Sequence, residues 1–156
     1  DKLKMRFGQQ RLDIHALAGL VADNARFDVF RLSDALLSGD SARAIRILRS
    51  LQQNDTSPVV IHWALENLTR QLAELAFVRK KQGGIQKSDF QKMRIWPKQQ
   101  ATYQRVLNRL TMADFEQLLM LLSDIDLAIK GRHPGNPRQL IERWLMLFNQ
   151  PHLMVS

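Results

Sequence analysis

Apolar residues recur along this chain at intervals of three and four, and nowhere alternate with polar ones over a strand's length. The clearest run follows Ser57-Pro58, where Ile61, Leu65, Leu68, Leu72 and Leu75 are spaced by four, three, four and three. A seam of this heptad type marks the central helix of a bundle. Proline suits its first position, because the missing amide has no partner there in any case. Arg79-Lys80-Lys81 falls at the negative pole of that helix, and Gly83-Gly84 ends it.

Phe27 to Leu51 reads as two short helices joined at Gly39. Asp28 is a candidate N-cap of the first, whose apolar side is Val29, Phe30, Leu32, Leu36 and Leu37. Gly39 sits just past its end, where a left-handed backbone is cheap only for glycine. Asp40 caps the second helix, with Ala44, Ile45, Ile47, Leu48 and Leu51 inward and Arg43, Arg46 and Arg49 outward. Those arginines fit a solvated face, a binding stripe or a protein interface.

Further on, Ser88 starts a short helix through Met93, and Pro97 opens another to about Leu110. Thr111 with Asp114 makes a shortened-acid capping box ahead of Phe115, Leu118, Leu119, Leu122, Ile125 and Ile129. Gly131 stops that helix behind Lys130. Asn136-Pro137 begins the last one, which runs to about Asn149 before Pro151. Upstream, Asp13 caps a helix through about Ala22, and Leu3 and Phe7 share one side of a helix ended by Gly8. An opening in mid-helix without methionine suggests a fragment. The expected class is all-α, an antiparallel helical bundle. The short loops at 52–57 and 131–136 predict that consecutive helices pack as antiparallel neighbours.

Composition sets limits without changing that picture. A chain of 156 residues with 45% apolar content buries roughly 68–70% of its unfolded surface, enough for one good core. Cysteine is absent, which excludes disulfides and thiolate zinc sites. No apolar run reaches the length of a membrane span, and a cytoplasmic setting is expected. The six methionines look like core filler.

Charge does change the picture. Nine basic residues (Arg79, Lys80, Lys81, Lys87, Lys92, Arg94, Lys98, Arg105 and Arg109) lie between 79 and 109, against the single acid Asp89. That segment therefore carries the whole net charge of +8. It would attract phosphate or an acidic partner, most strongly at low salt. Trp96 and Tyr103 lie within it and could stack on bases. The competing reading makes the lysines a solvated covering and Trp96 a core staple.

Catalytic constellations are missing. His15, His62, His133 and His152 are separated by 47, 71 and 19 residues, so no pair has metal-ligand spacing. His62, beside Trp63 on an apolar helix, reads as a partly buried structural histidine, and His133 as an exposed loop residue. Asp124 and Asp126 diverge by about 200° around a helix and cannot meet on one atom. Neither a phosphate-cradling glycine loop nor a nucleophile elbow occurs. No catalytic, cofactor or metal residue is assigned.

The DALLSGD turn with its Arg-studded helix (Asp34 to Arg49), Arg94-Ile95-Trp96-Pro97, the stretch Thr111 to Gly131 and Arg143 to Phe148 together resemble one family. It is the delta subunit of the bacterial DNA polymerase III clamp loader. Asp1 to Gly8 and Leu12 to Phe30 are similar to the end of that family's second domain, so the resemblance spans nearly the whole chain. It implies a boundary near 26, with 1–26 ending a lid-like helical domain and 27–156 forming a C-terminal collar. It also implies a non-catalytic oligomerisation role beside gamma or tau and delta-prime subunits. The family opens the beta sliding clamp with an N-terminal domain that this sequence does not contain. ATP hydrolysis and polymerisation would belong to other subunits, and DNA to the full assembly.

Such a role gives a reason for the surplus apolar residues of the last two helices; the competing reading makes those helices simply central in their own bundle. Leu121 and Met146 are the candidate interface positions there. The rival readings are an independent basic nucleic-acid-binding module, centred on 79–109, and a helical adaptor unrelated to replication.

Overall fold

The computed structural model describes residues 27–149, where all regular structure is helical. Its helices are α1 (27–38), α2 (Ser41–Gln53), α3 (Pro58–Gln82), α4 (Lys87–Lys92), α5 (Pro97–Arg109), α6 (Met112–Ile129) and α7 (Pro137–Asn149). The helices expected over 3–8 and 13–22, and the stop at Pro151, lie outside the described residues. No helix among the described residues is long and apolar enough to cross a membrane.

At 25 residues, α3 is the longest element, and its heptad seam is the axis of the core. Ile61, Leu65, Leu68, Leu72 and Leu75 are all buried, against α4, α5, α6 and α7. Polar ties fix the packing at intervals. His62 donates from Nε2 to the Leu122 carbonyl at 2.9 Å, joining α3 to α6. A carbonyl only accepts, so the proton sits on Nε2, and the structural reading of His62 holds. Trp144, fully buried, donates from Nε1 to the Leu118 carbonyl at 3.1 Å and locks α7 onto α6.

Helix starts follow the expected chemistry. Asp40 accepts from the Arg43 amide at 3.1 Å, and Ser57 accepts from the Val59 amide at 3.2 Å. Thr111 and Asp114 form the reciprocal box, at 2.8 and 3.1 Å. Asn136 accepts from the Arg138 amide at 2.9 Å. The short helix α4 starts one residue earlier than expected, because the Asp89 carboxylate takes the Gln86 amide at 2.8 Å.

Several expectations need correction. The helix α1 is already formed at Phe27, so Asp28 lies inside it and pairs with Arg31 at 3.6 Å instead of capping. Phe30 is exposed and meets Trp63 edge to face at 6.0 Å, and Leu119 is exposed too. Of the helices that follow it, α2 packs chiefly on α7 and not on its sequence neighbour α3. The reason is visible at Gln52. Its side-chain amide donates to the Arg138 carbonyl at 3.4 Å, while Arg138 donates back to the Gln52 carbonyl. By contrast α6 and α7 do pack as the short loop requires.

Candidate functional site

The α6–α7 hairpin leaves two methionine side chains that the core does not absorb. Met120 is 68% exposed and Met146 54% exposed, whereas Leu121 is half-buried and rests against the core. A groove of about 280 Å³ runs between the two helices, walled by Met120, Leu121, Leu147, Asp124, His133 and Arg143. Spacing explains this geometry. Leu121 and Asp124 stand one turn apart on α6, as do Arg143 and Leu147 on α7, so an apolar floor carries a charged rim. Met146 lies outside the groove, one turn from Arg143 on the outward side of α7.

The rim includes a correction. His133 is partly covered: its Nδ1 accepts from the Gly135 amide at 2.9 Å, and its Nε2 lies 3.9 Å from the Asp124 carboxylate. A Cβ on Gly135 would stand 3.0 Å from His133 Nδ1 and Leu140 Cδ1, so any larger residue there would push those two side chains aside. Asp126 points elsewhere, to Lys130 at 2.9 Å, whose hydrogen bond holds that carboxyl below its ordinary range. The divergence of the two aspartates is as expected. Met112, Met120 and Met146 are exposed, so filler describes only part of the methionine set.

The basic segment divides into structural and surface residues. Arg79 donates to Asn108 Oδ1 at 2.8 Å and to the Leu107 carbonyl at 2.9 Å, fastening the ends of α3 and α5 together. Arg109 donates to the Phe148 carbonyl at 2.5 Å and lies 5.3 Å from the Phe148 ring centre. Burial lowers its pKa, and the charge of Asp114 opposes that shift. These two arginines are committed to the fold. Lys80, Lys81, Lys87, Lys92, Arg94, Lys98 and Arg105 are exposed.

The two aromatic residues of this segment part company. Trp96 is 63% exposed, just ahead of Lys98, so it is no core staple. Tyr103 is buried and donates to Gln71 Oε1 at 3.1 Å. Burial, reinforced by Asp34, pushes its pKa up to about 12. Stacking by Tyr103 is therefore ruled out by packing, while Trp96 is open to it.

Among the described residues no cluster of His, Asp and Glu is arranged to hold a metal. Arg46 and Arg49 are exposed, whereas Arg43 is half-buried beside Arg31 of α1. Reading the sequence missed the charged rim of the hairpin, Asp124 and Arg143. The signal was present, since each stands three or four residues from an apolar wall residue on the same helix.

Residues 29–149 match the model of a family described as the processivity clamp loader gamma complex DNA pol III C-terminal domain. The chain is 29% identical over 131 residues to the DNA polymerase III subunit delta of Escherichia coli K12, covering 83% of this chain and 37% of that protein. With the protein of the same name from Haemophilus influenzae the identity is 28% over 134 residues, covering 80% of this chain and 38% of the relative. The chain thus spans less than two-fifths of the length of these curated relatives. By the extent of the family match, the chain belongs to the C-terminal domain family of DNA polymerase III clamp-loader delta subunits.

Proposed function

We propose that this chain is the collar part of a clamp-loader delta subunit, acting in chromosome replication in the cytoplasm. Residues 27–156 form the oligomerisation domain, and residues 1–26 end the helical domain before it. Its partners are gamma or tau and delta-prime subunits, bound through the collar, and the beta clamp is reached only through a region upstream of this sequence. Chemistry on ATP or nucleotides belongs to other members of the assembly.

One observation supports this reading most: Met120 and Met146 lie open on the last two helices, beside a groove with an apolar floor and charged rim. Exposed methionine is a costly choice for a free surface and a good one for a packed protein interface, where it is enriched. The test is to mix the chain with purified gamma and delta-prime subunits and follow the mixture by size exclusion. Co-elution is expected. Separate elution, with tight and steeply salt-dependent DNA binding by the chain alone, would favour the independent nucleic-acid module instead.

A second reading concerns the surface of α4 and α5. Exposure of Trp96 between Arg94 and Lys98 favours direct contact with single-stranded DNA in the assembly. Base stacking on an aromatic ring contributes about 1–3 kcal/mol and tolerates any sequence. Loss of that affinity in Trp96→Ala, with folding intact, is the expected result.

A further inference from the structure

Arg31 of α1 and Arg43 and Arg46 of α2 line one cavity of about 310 Å³, with Asp28, Ser50 and Ile47 completing its wall. The two helices are joined by a tight turn at Gly39, where the Asp40 amide donates to the Ala35 carbonyl at 3.0 Å. The cavity is thus set by a short, hydrogen-bonded connection and a buried floor at Ile47.

Its charge is unbalanced. Three guanidinium groups face a single carboxylate, Asp28, which lies 3.6 Å from Arg31. Among the described residues, Arg43 and Arg46 have no carboxylate within salt-bridge distance. Like charges gathered in a concavity are relieved when an anion enters, and the concave wall strengthens the attraction. The choice of arginine narrows the ligand. A guanidinium fork matches two oxygens of one phosphate, which a lysine ammonium does not. Ser50 adds a hydroxyl donor. No aromatic residue lines the wall, so nothing there would stack on a base.

We propose that this arginine cavity is a phosphate-binding site that takes backbone phosphates of a nucleic-acid strand without reading its sequence. It stands on α1 and α2, apart from the basic surface of α4 and α5. It does not depend on the collar reading. An acidic peptide is the poorer fit, because its carboxylates sit on flexible stems, whereas a strand carries its charges at a regular spacing on the backbone itself.

The test measures binding of a short single-stranded DNA to the full chain by fluorescence anisotropy, across about 50–200 mM salt. The variant is R31Q/R43Q/R46Q, checked for unchanged helicity, with K80Q/K81Q, in the last turn of α3 and outside the cavity lining, as a control. Removing three phosphate contacts should flatten the slope of log affinity against log salt by about 2, with affinity at the lowest salt falling at least about tenfold. The control should leave that difference in place. Strands with and without a 5′-phosphate separate the sources: equal loss assigns internal phosphates, and loss confined to the phosphorylated strand assigns the terminal one.

If the triple variant unfolds, R43Q/R46Q keeps the Asp28–Arg31 pair and should flatten the slope by about 1.4. An unchanged slope in a folded variant would overturn the proposal. So would polyglutamate displacing the strand as well as unlabelled DNA does, since the cavity would then be reading carboxylates.

Discussion

Arg109 at the end of α5 grips Phe148 near the end of α7, bonding its carbonyl at 2.5 Å while the guanidinium lies 5.3 Å from its ring centre. The carbonyls of a helix's last turn lack partners within the helix, and a cation there also meets the favourable pole. One side chain thus closes α7 and ties it to α5.

Replacing that guanidinium should be expensive. Arg109→Met loses a charge-assisted hydrogen bond and leaves a half-buried carbonyl unpaired, a cost of about 1.5–3 kcal/mol. Lys98→Gln, on an exposed basic position, should cost less than about 0.5 kcal/mol. Urea denaturation of both variants checks the contrast, and equal effects would mean that Arg109 is ordinary surface charge.

The buried phenol of Tyr103 predicts a response to base. Its folded pKa of about 12 lies above the ordinary value of 10.0. The folded state therefore holds the proton more tightly, so this contribution is fully present below pH 10 and is lost as pH rises toward 12. Tyr103→Phe should cost about 1 kcal/mol at neutral pH through the lost bond to Gln71. The gap between wild type and variant should then narrow between pH 10 and 12. A gap constant across that range would show the hydroxyl to be solvated.

Arg94 holds a left-handed conformation, φ 58°, just beyond α4. The Ile95 amide reaches back to the Phe90 carbonyl at 3.0 Å, the bond of a Schellman ending in which glycine is the usual residue. Arg94→Gly relieves side-chain strain of about 1 kcal/mol and should raise the melting temperature while removing one surface charge. A lower melting temperature would show that the Arg94 side chain contributes packing that outweighs its strain.

Those same turns explain what could be read from sequence. Gly39 and Gly131 both take positive φ where the periodicity stops, as expected. Asp55 and Arg94 do so without glycine, each followed by an amide that bonds back into the preceding helix, Thr56 to the Leu51 carbonyl at 2.9 Å and Ile95 to that of Phe90 at 3.0 Å, and residue type announces neither. The α3 seam and the Thr111–Asp114 box were legible because spacing and capping are local properties. The pairing of α2 with α7 was not, since it rests on Gln52 meeting Arg138 across the chain. Nor could charge counting tell the clamping arginines, Arg79 and Arg109, from the exposed lysines around them.

Exposure gives the interface claim its sharpest test. Met146 is 54% exposed while its neighbour Leu145 is buried. Met146→Asp should keep helicity and shift stability by no more than about 0.5 kcal/mol, whereas Leu145→Asp should unfold the bundle. Leu121→Asp falls between, since Leu121 is half-buried.

The decisive measurement is assembly of the Met146→Asp chain with gamma and delta-prime subunits, read as the mass of the eluted complex beside its circular dichroism. A fully helical variant that no longer joins the complex is the outcome predicted here. A variant that assembles as readily as the parent chain would contradict the claim that this open side of the hairpin is what holds its sister subunits.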